Sequence, residues 1–536
     1  MDVSLLRDGR ARFWIALAAV VLFGALLRLK GIHDPIIDHP GWRQGDTAAI
    51  ARNFARLQYD ILKPQVDYDG APPNYVELEL QIVPFLAATL YKIFGVHEIF
   101  GRLISLAFGL GTIAVLGAFA RWLFRSGVAG LGAALAFAAF PGAIYYSRTF
   151  MPDTTMVFFL CAALYAGTRW LWEGDPRDWR GCWIAGPLIA LALLAKPVAL
   201  VGLVPLAAVA FVRFGVAGTL RRPQTYALLA LAFVPLFVYD HIVSAQAEWH
   251  WASGITKLHV VPSFTHAFTS GAALGANLHR FGHALRLLAT TMPGPVGVLL
   301  LLAGLAAMTW APVTPGAERR RFRDRALLWT WLVTGLLYGY VVLTVEPVDY
   351  YWYPVAPLAS LCAGAATLYA WNAVRGTSWQ TIALGAAALA YLGFVLLSRH
   401  EIAPYYRYSK VNYVSARALD ATLPKDALIV MGHYDPSILY YIDRKGWEED
   451  PHLWTPFDEQ SAIRKGSRYF IAMEPKRLKT NAELLNWLAR FPVDSHKHWP
   501  VYETDPTKTL PGAEERWRAF RRAEHAGRSP AASKPR

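Results

Sequence analysis

The chain has 536 residues, 54% of them hydrophobic and only 17% charged, with 20 Trp, 25 Tyr and 27 Phe. Ordinary soluble domains carry about 25% charged residues; here the deficit is concentrated in apolar runs of membrane-spanning length, which excludes a soluble globular protein. The formal net charge is +14, but the arginines cluster between apolar runs, so the excess reads as a topology signal and nucleic-acid binding is not expected.

Arg7, Arg10 and Arg12 precede the first apolar run, Phe13 to Leu29. That run has no small-residue cleavage site, and it is expected to be a retained span with a cytoplasmic N-terminus. A large structured outer loop over residues 31–100 follows. Within it, His39-Pro40-Gly41-Trp42-Arg43-Gln44-Gly45-Asp46-Thr47 is expected to open a surface helix capped by Asp46 and Thr47. Leu78 to Phe94 is apolar but contains Glu79, Gln81, Pro84 and Lys92. Counting it as a span would turn every later basic cluster outward, so it is read as a juxtamembrane helix.

The later clusters are Arg121 and Arg125; Arg169, Arg177 and Arg180; Arg213, Arg221 and Arg222; Arg319, Arg320, Arg321, Arg323 and Arg325; and Arg375. If all are cytoplasmic, about eleven spans fit, near 13–30, 101–120, 128–146, 154–172, 183–195, 198–213, 225–243, 294–311, 327–345, 355–373 and 380–398. A Trp- and His-rich outer loop is left at about 244–292, and the C-terminus lies outside. The expected fold is an α-helical polytopic inner-membrane protein, with a transmembrane catalytic domain over residues 1–400 and a small extracytoplasmic α/β domain over 401–515. Ala427 to Gly432 and Tyr469 to Met473 read as short strands of that domain, and Ala482 to Phe491 as a helix. Residues 516–536, basic and then Ala/Ser/Pro-rich, are expected to be disordered. No internal repeat is visible, which speaks against a secondary transporter. Cys161, Cys182 and Cys362 have no disulfide or zinc spacing.

This topology gathers polar groups on the outer side: Arg43 and Asp46, Glu77 and Glu79, Arg148 and Asp153, Lys196 at a Lys-Pro break, and Tyr351 in Asp349-Tyr350-Tyr351-Trp352-Tyr353-Pro354. Plainer readings exist for each. Asp153 can cap a helix, Lys196 can snorkel, Tyr351 can belong to an aromatic belt, and Glu77 and Glu79 can form a solvated helix face. They do not explain why carboxylates and cations gather at one level. Neither a transporter, which would place ionisable groups at the bilayer midplane, nor a non-catalytic envelope-polymer assembly protein accounts for them as well as an enzyme.

Five ordered pieces carry a family resemblance: Trp42-Arg43-Gln44-Gly45-Asp46-Thr47 leading into Ile50-Ala51-Arg52; Phe94-Gly95-Val96-His97-Glu98-Ile99-Phe100-Gly101-Arg102-Leu103; Ser147-Arg148 with Asp153; Leu194-Ala195-Lys196-Pro197; and Tyr351-Trp352-Tyr353-Pro354. In order and spacing across residues 10–400 the chain resembles the GT-C superfamily of integral membrane glycosyltransferases, in the branch of the protein O-mannosyltransferases and lipid A aminoarabinose transferases. The resemblance implies transfer of a sugar from a polyprenyl-phosphate carrier to an extracytoplasmic lipid, polysaccharide or protein. It maps the family's first-loop acid onto Asp46. The commoner Asp-Glu pair is absent, since Asp46 is flanked by Gly45 and Thr47, and a second carboxylate is left open among Glu77, Glu79 and Asp153.

The residue types suit that chemistry. Attack by an alcohol on an anomeric carbon needs a carboxylate to share the proton. The leaving phosphate needs positive charge and donors, for which Arg43, Arg148, Lys196 and the Tyr351 phenol are the candidates. If a divalent metal ion takes part, Asp46 and Asp153 are the carboxylates to hold it. A single displacement would invert the anomeric centre.

Overall fold

The computed structural model describes residues 9–175, 177–311, 316–495 and 498–527; Arg7, placed above in the first basic cluster, lies outside them. The chain divides into two compact units. The first holds residues 1–34, 59–63 and 76–407, and the second holds 35–58, 64–75 and 408–536. The first loop is therefore split, with two of its segments packing alongside the tail.

In chain order the helices begin with α1 (Gly9–Arg28), α2 (Gly41–Arg56, in the second unit), α3 (Ile82–Phe94), α4 (Ile99–Phe124) and α5 (Gly127–Ala139). They continue with α6 (Pro141–Tyr146), α7 (Asp153–Glu173), α8 (Arg180–Ala195), α9 (Leu203–Leu220) and α10 (Pro223–Ser244). Short turns α11 (Trp251–Ile255) and α12 (Val261–His266) precede α13 (Gly271–Thr291), α14 (Gly294–Trp310), α15 (Glu318–Val342), α16 (Ala356–Val374) and α17 (Gln380–Glu401).

Every one of the expected spans falls on a helix, but the count is lower. Among the described residues eight helices are long and apolar enough to cross a membrane, or nine if the bent pair α13–α14 is one span. The chain is a multi-pass membrane protein. The reasons for the difference are local. Segment 128–146 is broken where Pro141 starts α6, because proline cannot continue the preceding helix. Segment 183–195 stops at 16 residues against the Lys196-Pro197 break. Segment 294–311 is bent by 98° from α13. The stretch read as a loop at 244–292 contains α13, a 21-residue helix. Leu78 to Phe94 yields the 13-residue α3, shorter than a span.

The first unit packs backbone against backbone through small residues, as membrane helices do. A side chain at Gly304 would meet the Cys362 carbonyl oxygen at 2.1 Å. Buried arginines tie its polar backbone. Arg28 donates to the Gly24 and Ala138 carbonyls. Arg102 and Arg148 both donate to the carbonyl of Gly31, just after α1, at 2.7 and 2.9 Å.

In the second unit, α18 (Lys410–Thr422), α19 (Pro436–Ile442), α20 (Pro456–Arg464), α21 (Pro475–Leu478) and α22 (Ala482–Leu488) accompany a five-stranded sheet. Numbering strands along the chain after the two-residue pair β1 (Val76–Glu77) and β2 (Trp249–His250) of the first unit, the sheet strands are β3 (Leu428–Met431), β4 (Lys445–Glu448), β5 (Ser467–Ile471), β6 (Val493–Asp494) and β7 (Val501–Glu503). Their order is β4-β3-β5-β7-β6. The first three are parallel and β7 runs antiparallel to β5 and β6. Val430, Phe470, Leu484, Trp487, Leu488 and Phe491 form the core. The sheet and α22 match the expected α/β character. The expected disorder from 516 onward is overturned through Gly527, because α23 (Ala513–Gly527) is helical; residues 528–536 lie outside the described ones.

Candidate active site

Each unit gathers some of the candidate residues. In the second unit, α2 begins at Gly41 after Pro40, so Asp46 and Thr47 do not cap it. Asp46 instead lies inside the helix and points into the unit, 6% exposed. The Thr47 hydroxyl donates back to the Arg43 carbonyl. This correction changes the chemistry, because a cap would be half solvated whereas Asp46 is desolvated. Burial, with Asp435 and Asp67 adding like charge, pushes the Asp46 carboxyl up to about 7, against the opposing pull of Arg43 and a Tyr68 hydrogen bond. Its Oδ1 has no hydrogen-bond partner among the described residues.

The sheet explains the company Asp46 keeps. Asp435 follows β3 and caps α19 by accepting from the Ser437 N–H at 2.9 Å. Glu448 ends β4. Both therefore sit at the carboxyl ends of parallel strands, where α/β sheets build their sites. Burial, then the charges of Asp46 and Asp69, pushes the Glu448 carboxyl up to about 10, so it is a neutral acid at pH 7. Gly45 permits the approach: a Cβ there would stand 2.5 Å from the Ser437 Cα. The α2 helix is held by a buried ion cluster in which Asp67 accepts from Arg52, Asn53 and Lys445. These donors hold the Asp67 carboxyl at about 2 despite its burial. Glu448 and Asp67 were not singled out from the sequence.

In the first unit, Asp153 is the first residue of α7, preceded by Pro152 at the cap position. Its Oδ1 accepts from the Lys196 ammonium at 2.6 Å. Lys196 sits where α8 ends and Pro197 begins a 3-10 turn, with its ammonium 4.4 Å from the Tyr351 ring centroid and 5.0 Å from that of Tyr350. Three expected site residues thus meet. Next to them Asp349, which the sequence showed only as the start of the Tyr-Tyr-Trp-Tyr run, accepts from the hydroxyls of Tyr146 and Tyr405. Arg148 is fully buried, donates to Gly31 and lies 4.6 Å from the Tyr145 and Tyr406 ring centroids. Edge-to-face ring contacts link it to the lysine: Tyr145 to Tyr146, Tyr146 to Tyr350.

Glu77 and Glu79 are not on a helix face. Glu77 lies in β1, paired in parallel with β2, and accepts from Ser253 N and Oγ at 3.1 and 3.3 Å; burial raises its carboxyl. Glu79 offers its backbone carbonyl to Tyr239 and Gln81. Among the described residues no three His, Cys, Asp or Glu side chains are placed to hold a metal ion. The three cysteines are free and buried.

Residues 81–239 match the family model described as Dolichyl-phosphate-mannose-protein mannosyltransferase. That region contains Asp153 and Lys196. No curated protein matches the chain. Among solved structures it is similar to ArnT from Cupriavidus metallidurans bound to undecaprenyl phosphate, at 15% identity and a TM-score of 0.61, covering 94% of this chain and 100% of that one. The apo form of the same protein gives 14% identity and a TM-score of 0.60 at the same coverage. The fold is therefore like that of ArnT, the GT-C fold expected from the sequence.

Proposed function

We propose that the protein transfers a monosaccharide from a polyprenyl-phosphate carrier to a hydroxyl-bearing lipid, polysaccharide or protein on the outer side of the inner membrane, with inversion. The observation that carries the reading is Asp46, a buried carboxyl raised to about 7 with one oxygen that has no hydrogen-bond partner among the described residues. Such a group is half ionised at neutral pH, where a general base is most effective. The acceptor oxygen attacks the anomeric carbon as its proton passes to Asp46. The bond from that carbon to the carrier phosphate oxygen breaks, and the phosphate departs with the electron pair. For its growing negative charge we keep the assignment made from the sequence, the Lys196 ammonium and the Tyr351 phenol, which the first unit holds 4.4 Å apart, ammonium to ring centroid. Asp153 positions Lys196 through their 2.6 Å contact, while Arg43 tunes Asp46. Arg148 acts as a support for the aromatic row, and Glu77 as a brace for the β1–β2 pair; the reaction uses neither a second carboxylate nor Glu79.

The arginine pattern supports a cytoplasmic N-terminus and an outer tail. Mass spectrometry of lipid extracted from the purified protein tests the donor, and a transfer assay with undecaprenyl-phosphate-linked sugars in vesicles tests the reaction. Copurifying polyprenyl phosphate, with transfer lost in Asp46→Asn, is expected. A protein free of polyprenyl lipid, or full transfer by the variant, would overturn the reading.

A further inference from the structure

A second cationic site lies in the first unit, away from Asp153 and Lys196. A cavity of about 300 Å³ is lined by Arg10, Arg121, Arg125 and Arg169, with Trp14 and Tyr165 among its walls. Arg10 is the second residue of α1, Arg121 lies in the last turn of α4, Arg125 caps α4, and Arg169 is near the end of α7. All three helices are long and apolar enough to span, so the cavity sits where spans leave the bilayer. Asp153 begins the same α7 helix, and at 1.5 Å per residue Arg169 lies roughly 24 Å further along it. The cavity therefore faces the opposite end of the helix from the proposed donor-phosphate contacts.

Among the described residues that line the cavity, Arg121, Arg125 and Arg169 bring cations and none is a carboxylate. Glu173, at the end of α7, accepts from Arg169 at 3.2 Å and from the Trp122 indole at 2.8 Å. Arg121 lies over the Phe13 ring, 4.3 Å from its centroid, and 5.7 Å from that of Trp14. Contact with a ring face leaves a guanidinium's N–H edge free to grip a phosphate through two parallel hydrogen bonds. Trp14 is 46% exposed, the behaviour of an indole at headgroup depth. Cations, interfacial aromatics and open apolar helix flanks together match an amphiphile with an anionic head and acyl tails.

We propose that this cavity binds the phosphodiester headgroup of an anionic phospholipid from the leaflet opposite the transfer chemistry. The purified full-length protein, freed of lipid in detergent, is titrated with phosphatidylglycerol and with phosphatidylcholine under native mass spectrometry. Phosphatidylglycerol should bind the wild type more tightly than phosphatidylcholine. The double variant Arg121→Gln, Arg125→Gln should weaken the former about thirty-fold, with the latter unchanged. Arg121→Lys with Arg125→Lys should keep the preference for phosphatidylglycerol but bind it more weakly than the wild type, because lysine keeps the charge and loses the two-bond grip. Equal affinity for both lipids, or unchanged affinity in the glutamine variant, would overturn the proposal. So would displacement of phosphatidylglycerol by millimolar inorganic phosphate, which would mark a free-anion site. If the glutamine variant does not fold, a headgroup-photoactivatable phosphatidylglycerol on the wild type decides: crosslinks to the segments holding Arg10, Arg121 or Arg169 support the site, and crosslinks elsewhere overturn it.

Discussion

Asp153 and Asp46 are both buried aspartates at positions where sequence suggested a helix cap, and their environments make them opposites. Asp153 has a lysine at 2.6 Å, so its burial is balanced by a full opposite charge. Asp46 has the partial help of Arg43 and Tyr68, which does not overcome desolvation. A buried carboxylate held against a cation fixes geometry. One left without such a pair gives up its charge near neutrality and is able to exchange a proton. The first is suited to hold machinery in place, and the second to take part in a reaction.

The sharpest break of this comparison is Asp46→Asn. Turnover should fall by about 10² or more. Stability at pH 8 should rise, by up to about 4 kcal/mol, because the wild type must hold an ionised buried carboxylate there. The sign follows from the raised value: Asp46 stabilises the fold below its ordinary 3.8 and that contribution is lost as pH climbs through about 7. Turnover and thermal melting on one preparation measure both. Turnover lost together with stability would mean a structural residue.

Lys196→Met is the matching test of the paired acid. Donor affinity should drop by roughly 10- to 150-fold, the value of a charge-assisted contact, and stability should fall by about 3–5 kcal/mol because Asp153 is left buried without its cation. Adding Asp153→Asn should restore much of the stability and none of the donor affinity. Recovery of both would show that the lysine serves only its partner.

Asp67→Asn tests the cluster that holds α2. It strands Arg52 and Lys445, and chemical denaturation should show a loss of about 3 kcal/mol. In the wild type this contribution is present above the ordinary 3.8 and disappears as pH falls through about 2, so acid denaturation should be shallower in the variant. Smaller effects belong to the pH profile. The acid limb of kcat/KM should break near pH 7, and Arg43→Gln should move it upward by removing the nearby cation. Glu448→Gln should leave the limb in place, since Glu448 is already neutral when Asp46 titrates. A limb displaced by Glu448→Gln would mean that Glu448 carries charge at neutral pH.

What was legible in the sequence was what depends on neighbours along the chain. Apolar runs marked the helices, and the Lys196-Pro197 break marked a charge that had to find a partner in an apolar setting. The length of each span was less legible, because Pro141 and the bend at α13–α14 act on a run whose composition stays apolar throughout. The start of α2 was misread for a related reason: Asp46 and Thr47 have the chemistry of a cap, while Gly41 and Trp42 carry no starting signal stronger than the proline before them. Glu448 was invisible because β4 is four residues long and its acid acquires meaning only from parallel pairing with β3. Asp349 was in plain view in an aromatic run, but the hydroxyls of Tyr146 and Tyr405 that define it come from other parts of the chain.

Gly45 bears on how this protein can change over generations. The atoms that a side chain at 45 would strike first are the Cα and backbone nitrogen of Ser437, at 2.5 and 2.7 Å. No replacement at 437 removes those atoms, so no compensating partner exists for an altered residue 45. A saturation library at this codon should return glycine alone, and a lineage of this chain could not place a side chain at position 45 without first moving the path of α19. The close approach of α2 and α19 is thus a historical commitment of the backbone, and any second acid in this stretch of α2 would have to come from another position.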